Sequence, residues 1–214
     1  MAVVINGSGT VTGISVGGLP DDIVDSGTLA DDAVVAAAIA DDAVVAAALA
    51  TDSVTADALE VSAIARADLP AGAVLQVVSA SVDGNATSTS TSFAATSAAQ
   101  TITPTAATSK FLVSYMGGRT GFSGSGGGDG AIKLYRTISG GSATSVEAAA
   151  RGISNFYGFG DFYAPTALQW IDDPDTALAI TYTVYIARRS GTGTFSLSRD
   201  GSQTPNMAII EIAG

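Results

Sequence analysis

Nine carboxylates lie beyond residue 70, at Asp83, Asp129, Glu147, Asp161, Asp172, Asp173, Asp175, Asp200 and Glu211. They are the groups of that stretch that could serve as acid and base, because the chain has no His and no Cys. That absence removes the commonest proton shuttle at neutral pH, the thiolate nucleophile, the structural zinc cluster and the disulfide framework. It also leaves every serine without an imidazole to activate it. Cleaving a glycoside takes an acid and a base or nucleophile at a defined separation, and no two of the nine share a recognisable motif. Several stand in turn-like contexts, where Asp is favoured for local hydrogen bonding. No catalytic residue is assigned, and the chain reads as non-enzymatic.

Binding chemistry has more to work with. Asn155–Tyr163 packs Phe156, Tyr157, Phe159, Phe162 and Tyr163 into nine residues. Strand alternation would leave some of these rings outside a sheet, where they make platforms for a sugar ring or a partner protein. Burial against a neighbouring chain is the other use for them. Phe122 stands within the Gly-rich stretch Gly117–Gly130. No Lys-Ser/Thr and no helix follow it, so that stretch is no phosphate loop; it reads as a long mobile loop with Phe122 exposed. The run Asp172-Asp173-Pro174-Asp175 reads as a solvated turn entering a strand at Ile180, or as an oxygen-rich seat for Ca²⁺ without the alternating spacing of a dedicated loop. No metal and no cofactor are assigned.

The elements that must carry these residues divide the chain in two. Residues 1–70 hold 11 acidic residues against Arg66 alone, and all 14 aromatics lie after residue 92. A segment with so little bulk cannot bury enough surface to fold as an independent globule, so it must bury its apolar side chains against other chains. The whole chain nets −11. Such acidity argues against nucleic-acid partners, which need clustered Lys and Arg. No apolar run reaches the ~20 residues of a spanning helix, and the N-terminus lacks a signal-peptide pattern. The expectation is a soluble protein with no membrane insertion.

Within the acidic segment a ten-residue repeat runs from Leu19 to Leu69. One apolar track is Leu19, Leu29, Ile39, Leu49, Leu59 and Leu69; a second, five residues out of phase, is Val24, Val34, Val44, Val54 and Ile64. Asp21-Asp22, Asp31-Asp32 and Asp41-Asp42 fall between them. Steps of five alternate faces in a strand, and in an α-helix they rotate by ~140°, so neither element alone makes a stripe. A compound unit fits: an extended piece, one or two helical turns through the alanines, and a break at the acidic pair. Three chains wound on one axis would bury both tracks, making residues 21–70 a trimeric shaft. A trimeric coiled coil over 29–68 is the alternative, with a ten-residue period that demands an overwound supercoil.

Residues 1–20 read as two short strands about Asn6-Gly7 and Gly9, a docking segment. After Pro70 the texture becomes β runs punctuated by Gly, Ser, Thr, Asn and Pro. The expected strands are Val74–Val82, Ser92–Ala94, Gln100–Thr103, Phe111–Met116, Ile132–Ile138, Val146–Ala150, Leu168–Ile171, Ile180–Ala187, Thr194–Ser198 and Met207–Ile212. So many short strands predict a jelly-roll-like β-sandwich head over 71–214. The fold class expected is mainly β, with a fibrous shaft containing short helical turns.

The opening INGSGTVTGISVGGLPDD, the decapeptides, the run GAVLQVVSASV through TSTSF to TITPTAATSKFLVSYMGG, and the closing WIDDPDTALAITYTVYIARR and NMAIIEIAG together resemble the tail-fibre and fibre-like virion proteins of tailed bacteriophages. The resemblance implies a homotrimer mounted on a virion. Residues 1–20 would dock on other virion proteins of the tail, baseplate or capsid, and the heads would meet a host cell-surface glycan or protein. A head fibre or capsid-decorating protein is the alternative within the same family. The acidic pairs stand where such repeats usually carry Asp-Gly.

Overall fold

Alternation of small or polar residues with large apolar ones builds most of the head. In the computed structural model the described residues are 69–83, 85–198 and 204–214, together with Val4–Ile5, Val11–Thr12 and scattered positions from Val35 to Thr55. The chain divides into two units, Met1–Ala63 and Ile64–Gly214.

In the first unit, β1 (Val4–Ile5) pairs antiparallel with β2 (Val11–Thr12), placing Val4 opposite Thr12 and Ile5 opposite Val11. The described repeat residues change direction at Ile39, Val44, Leu49 and Val54, every fifth position. The Ala43 N–H donates to the Ala40 carbonyl and, ten residues on, the Ser53 N–H to the Ala50 carbonyl, both at 3.1 Å. No α-helix occurs among the described residues of 29–68. Ile39, Val44, Leu49 and Val54 are exposed in the single chain, as are Val35 and Val45. Leu19, Val24, Leu29, Val34, Leu59 and Ile64 lie outside the described residues.

The second unit is a two-sheet β-sandwich whose strands are all antiparallel. Its strands are β3 (Val74–Ser81), β4 (Ala86–Ser88), β5 (Ala94–Ile102), β6 (Lys110–Ser123), β7 (Gly127–Ile138), β8 (Thr144–Ser145), β9 (Ser154–Phe159), β10 (Phe162–Asp172), β11 (Ile180–Ser190), β12 (Thr194–Ser198) and β13 (Asn206–Ile212). The first sheet runs β3-β13-β6-β10, with β12 and then β4 continuing from the far end of β6. The second runs β5-β11-β7, with β8 and β9 sharing the outer edge of β7. The pairings nest, β3 with β13, β5 with β11, β6 with β10 and β7 with β9, as strands do in jelly-roll sandwiches. In β11, Ile180, Tyr182, Val184 and Ile186 point inward and the residues between them outward. Phe111, Tyr115, Phe122, Phe195, Leu134 and Ile209 join them to fill the space between the sheets.

Three expectations are corrected here. Gly117–Gly130 is not a loop: it is the end of β6 and the start of β7, joined by a turn at Gly124-Ser125-Gly126. Its glycines are seats for rings. A Cβ on Gly128 would collide with Phe122, one on Gly130 with Phe195 and one on Gly121 with Tyr163. Val146–Ala150 is not a strand; pairing stops at Ser145, and Glu147 turns under the chain to face Lys133 at 3.7 Å. Burial pushes the Glu147 carboxyl up, with the Lys133 ammonium working in the opposite direction. Ser92–Ala94 and Gln100–Thr103 are not separate strands either. One strand, β5, spans Ala94–Ile102, because it pairs with β11 from Ala94 to Ile102 and the Thr96 hydroxyl, donating to the Val184 carbonyl, bridges the register irregularity between them, with Ala98 fully buried.

A candidate binding surface at one edge of the sandwich

Gly160, at φ 66°, turns the chain from β9 in the second sheet to β10 in the first. Residues adjacent in sequence therefore part company at this turn. Asp161 anchors it, its carboxylate accepting the Gly124 N–H of the β6–β7 turn at 3.3 Å. Along β9, alternation sends Phe156 inward, where it stacks on Phe195 with centroids 6.3 Å apart. Tyr157 and Phe159 point outward, 60% and 75% exposed, with rings edge to face at 5.4 Å.

These two rings are placed by their opposite numbers on β7. Phe159 faces Gly127, whose missing side chain lets the ring lie close to the backbone, and Tyr157 faces Asp129. Asp129 is buried and accepts from the Arg151 guanidinium at 2.9 Å, while the Arg151 side chain is mostly in solvent. The result is a pair of exposed ring planes flanked by an ion pair that carries its positive end outward. Such a surface suits stacking on a flat, partly apolar ligand together with a charge-assisted hydrogen bond.

The other candidates go elsewhere. Tyr163 lies on Gly121 of the first sheet, where the Arg119 guanidinium sits 4.3 Å from its ring centre. The alternation that turns Phe122 inward makes this the opposite outer face of the sandwich. Phe162 packs on Gly158 at the rim between the sheets. Phe122 is 1% exposed and Phe156 half-buried, which removes both from the exposed set. Phe122 is buried because its ring fills the space left by Gly128 and Gly193. The flanking residues Asp129 and Arg151 carried no signal in the sequence; only the pairing of β7 with β9 brings them to Tyr157.

Asp172 is also reassigned. Instead of standing in a solvated turn it is buried at the end of β10, accepting from the Arg136 guanidinium at 2.5 Å and the Tyr182 hydroxyl at 2.8 Å. It clasps the first sheet to the second. Burial raises the Tyr182 phenol well above its ordinary range, and the Asp172 charge adds to the effect. Asp173 stays exposed, 3.8 Å from Lys110. A second buried acid, Glu211, accepts from the Thr105 N–H and hydroxyl, both at 2.7 Å, and from the Gln76 amide at 2.5 Å. Burial works to raise its carboxyl pKa, but the Ser109 hydroxyl together with the Thr105 and Gln76 donors outweighs it and holds the group below its usual range.

No family model matches the chain, and no curated protein matches it. Among solved structures, a chain in the structure of infectious bursal disease virus Gx strain is similar at a TM-score of 0.30 and 17% identity, over 65% of this chain. The match spans about a third of that viral chain, 33% of its length.

Proposed function

We propose that this protein is a non-enzymatic virion fibre: a homotrimer whose residues 1–20 dock on other virion proteins, whose residues 21–70 form the shaft, and whose heads present an attachment surface to a host cell-surface glycan or protein. The observation that carries the attachment role is the Tyr157–Phe159 pair. Leaving a phenylalanine three-quarters exposed forgoes much of the ~1.5–3 kcal/mol that burial returns, and the fold goes further by placing Gly127 under that ring. Paired rings beside the Arg151 guanidinium form a compact anchor of the kind that dominates binding energy. Support for the trimer comes from the repeat, whose described apolar residues find no cover in one chain; symmetric association supplies that cover.

The test is adsorption of the purified full chain to bacterial cells and to a panel of bacterial surface polysaccharides. Tyr157→Ala and Phe159→Ala should each weaken binding by ~1–3 kcal/mol, roughly 5- to 150-fold, with mass and thermal unfolding unchanged. Equal binding by both well-folded variants would refute the attachment role of this surface. It would put the head-fibre or capsid-decorating reading first.

A further inference from the structure

The outer face of the first sheet is apolar in a way that a solitary head does not require. Across the four strands β3, β13, β6 and β10, Val77, Ile210, Leu112 and Ile171 stand side by side in one row. The next row is small and uncharged, Ser79, Ala208, Ser114 and Gln169, and the one beyond it contains Met116 and Ala167. Val77 and Ile171 are 57% and 62% exposed, and Val74 and Met116 are more than half exposed on the same face. The charges at this face are at its two ends, the opposed pair Lys110 and Asp173 at one and Arg119, held against the Tyr163 ring, at the other. Monomers seldom leave so continuous a patch uncovered.

We infer that this face is where the heads of one trimer pack on each other, so that its occupant is a second copy of the same chain. The inference rests on the trimer proposed above and deepens it. The repeat ends at Leu69 and β3 begins at Val74, a tether of four intervening residues whose five Cα steps reach at most ~18 Å. The tether is held to this very sheet, because the Gly72 N–H donates to the Ala213 carbonyl and the Ala213 N–H to the Ala73 carbonyl, both at 2.8 Å. Chains gathered through the repeat would therefore deliver three copies of β3 within reach of one another. The small-residue row lets sheets approach closely, the aliphatic row supplies the area, and Lys110 and Asp173 at the rim offer charges of both signs for a heterologous, ring-closing contact.

Because the chain has no cysteine, one introduced thiol reports on one place. Ile171→Cys and Val77→Cys test the face, and Ala95→Cys, exposed on the other sheet, serves as reference. Maleimide labelling of the full-length protein is compared with its mass by sedimentation equilibrium. The expected result is a trimer in which the thiols at 171 and 77 react at least tenfold more slowly than the one at 95. A trimer in which all three react alike overturns this interface and leaves the trimer standing. A monomer overturns both, and slow labelling in a monomer shows that the chain covers its own face.

Discussion

Gly130→Ala should destabilise the head by about 3 kcal/mol, at the upper end of the usual cost of over-packing a core. The reasoning is geometric. The fully buried Phe195 ring lies flat on the Gly130 backbone, and a Cβ there would fall among the ring carbons. The ring cannot slide freely toward β9, because Phe156, the cross-strand partner of Gly130, stacks on it there. Either the ring leaves its rotamer or β12 lifts from the second sheet. The cost should stay at or below the ~3–5 kcal/mol of deleting a core phenylalanine altogether. At ~2–4 °C per kcal/mol for a domain of this size, the thermal midpoint falls by roughly 6–12 °C. Gly126→Ala is the matched control: the nearest foreign atom to its Cβ is the Thr192 hydroxyl at 3.9 Å, so it should be neutral or stabilise by up to ~1 kcal/mol through the unfolded chain. The assay is thermal unfolding by circular dichroism at one fixed protein concentration, since association shifts the midpoint. Equal melting of the two variants would refute the claim that these glycines are seats for rings.

Three other outcomes follow from the same packing. Phe122→Ala should cost ~3–5 kcal/mol of head stability, while Phe159→Ala should stay within ~0.5 kcal/mol as a surface change; denaturant unfolding of the two separates a core ring from a displayed one. Asp172→Ala strands the Arg136 guanidinium and the Tyr182 hydroxyl between the sheets and should cost ~3–5 kcal/mol, whereas Tyr182→Phe removes one hydrogen bond to a charged group and should cost ~1.5–3 kcal/mol; similar losses in denaturant titrations would contradict the ion-pair assignment. Glu211, with a folded pKa below its ordinary 4.5, contributes stability that is complete above that value and is lost as pH falls below it; Glu211→Gln should lower stability at pH 7 and flatten its fall below pH 4.5, measured by urea midpoints across the acid range.

Much of this was legible along the chain. The β runs Ile180–Ala187 and Met207–Ile212, bounded by Gly, Ser, Thr, Asn and Pro, marked strands of a sandwich, because such residues break a strand where the chain must turn. The ten-residue spacing of two apolar tracks announced a repeat that one regular element cannot satisfy, since that follows from rotation per residue alone. The loss of imidazole and thiol chemistry is a matter of composition. The density of rings between Asn155 and Tyr163 was visible too.

Tertiary pairing decided the rest. Gly121, Gly127, Gly128 and Gly130 look like loop residues because glycine carries no side chain to declare a face, and the reason for each is a ring from another strand. Asp172 reads as a turn acid until β11 and β7 bring Tyr182 and Arg136 to it. Tyr157 and Tyr163 are close in sequence, yet they occupy opposite faces, because the chain changes sheets at Gly160 between them. Local sequence sets which side of a strand a residue takes relative to its neighbours; whether that side meets a core, another strand's ring or solvent depends on partners far along the chain, and only closing the two sheets supplies them.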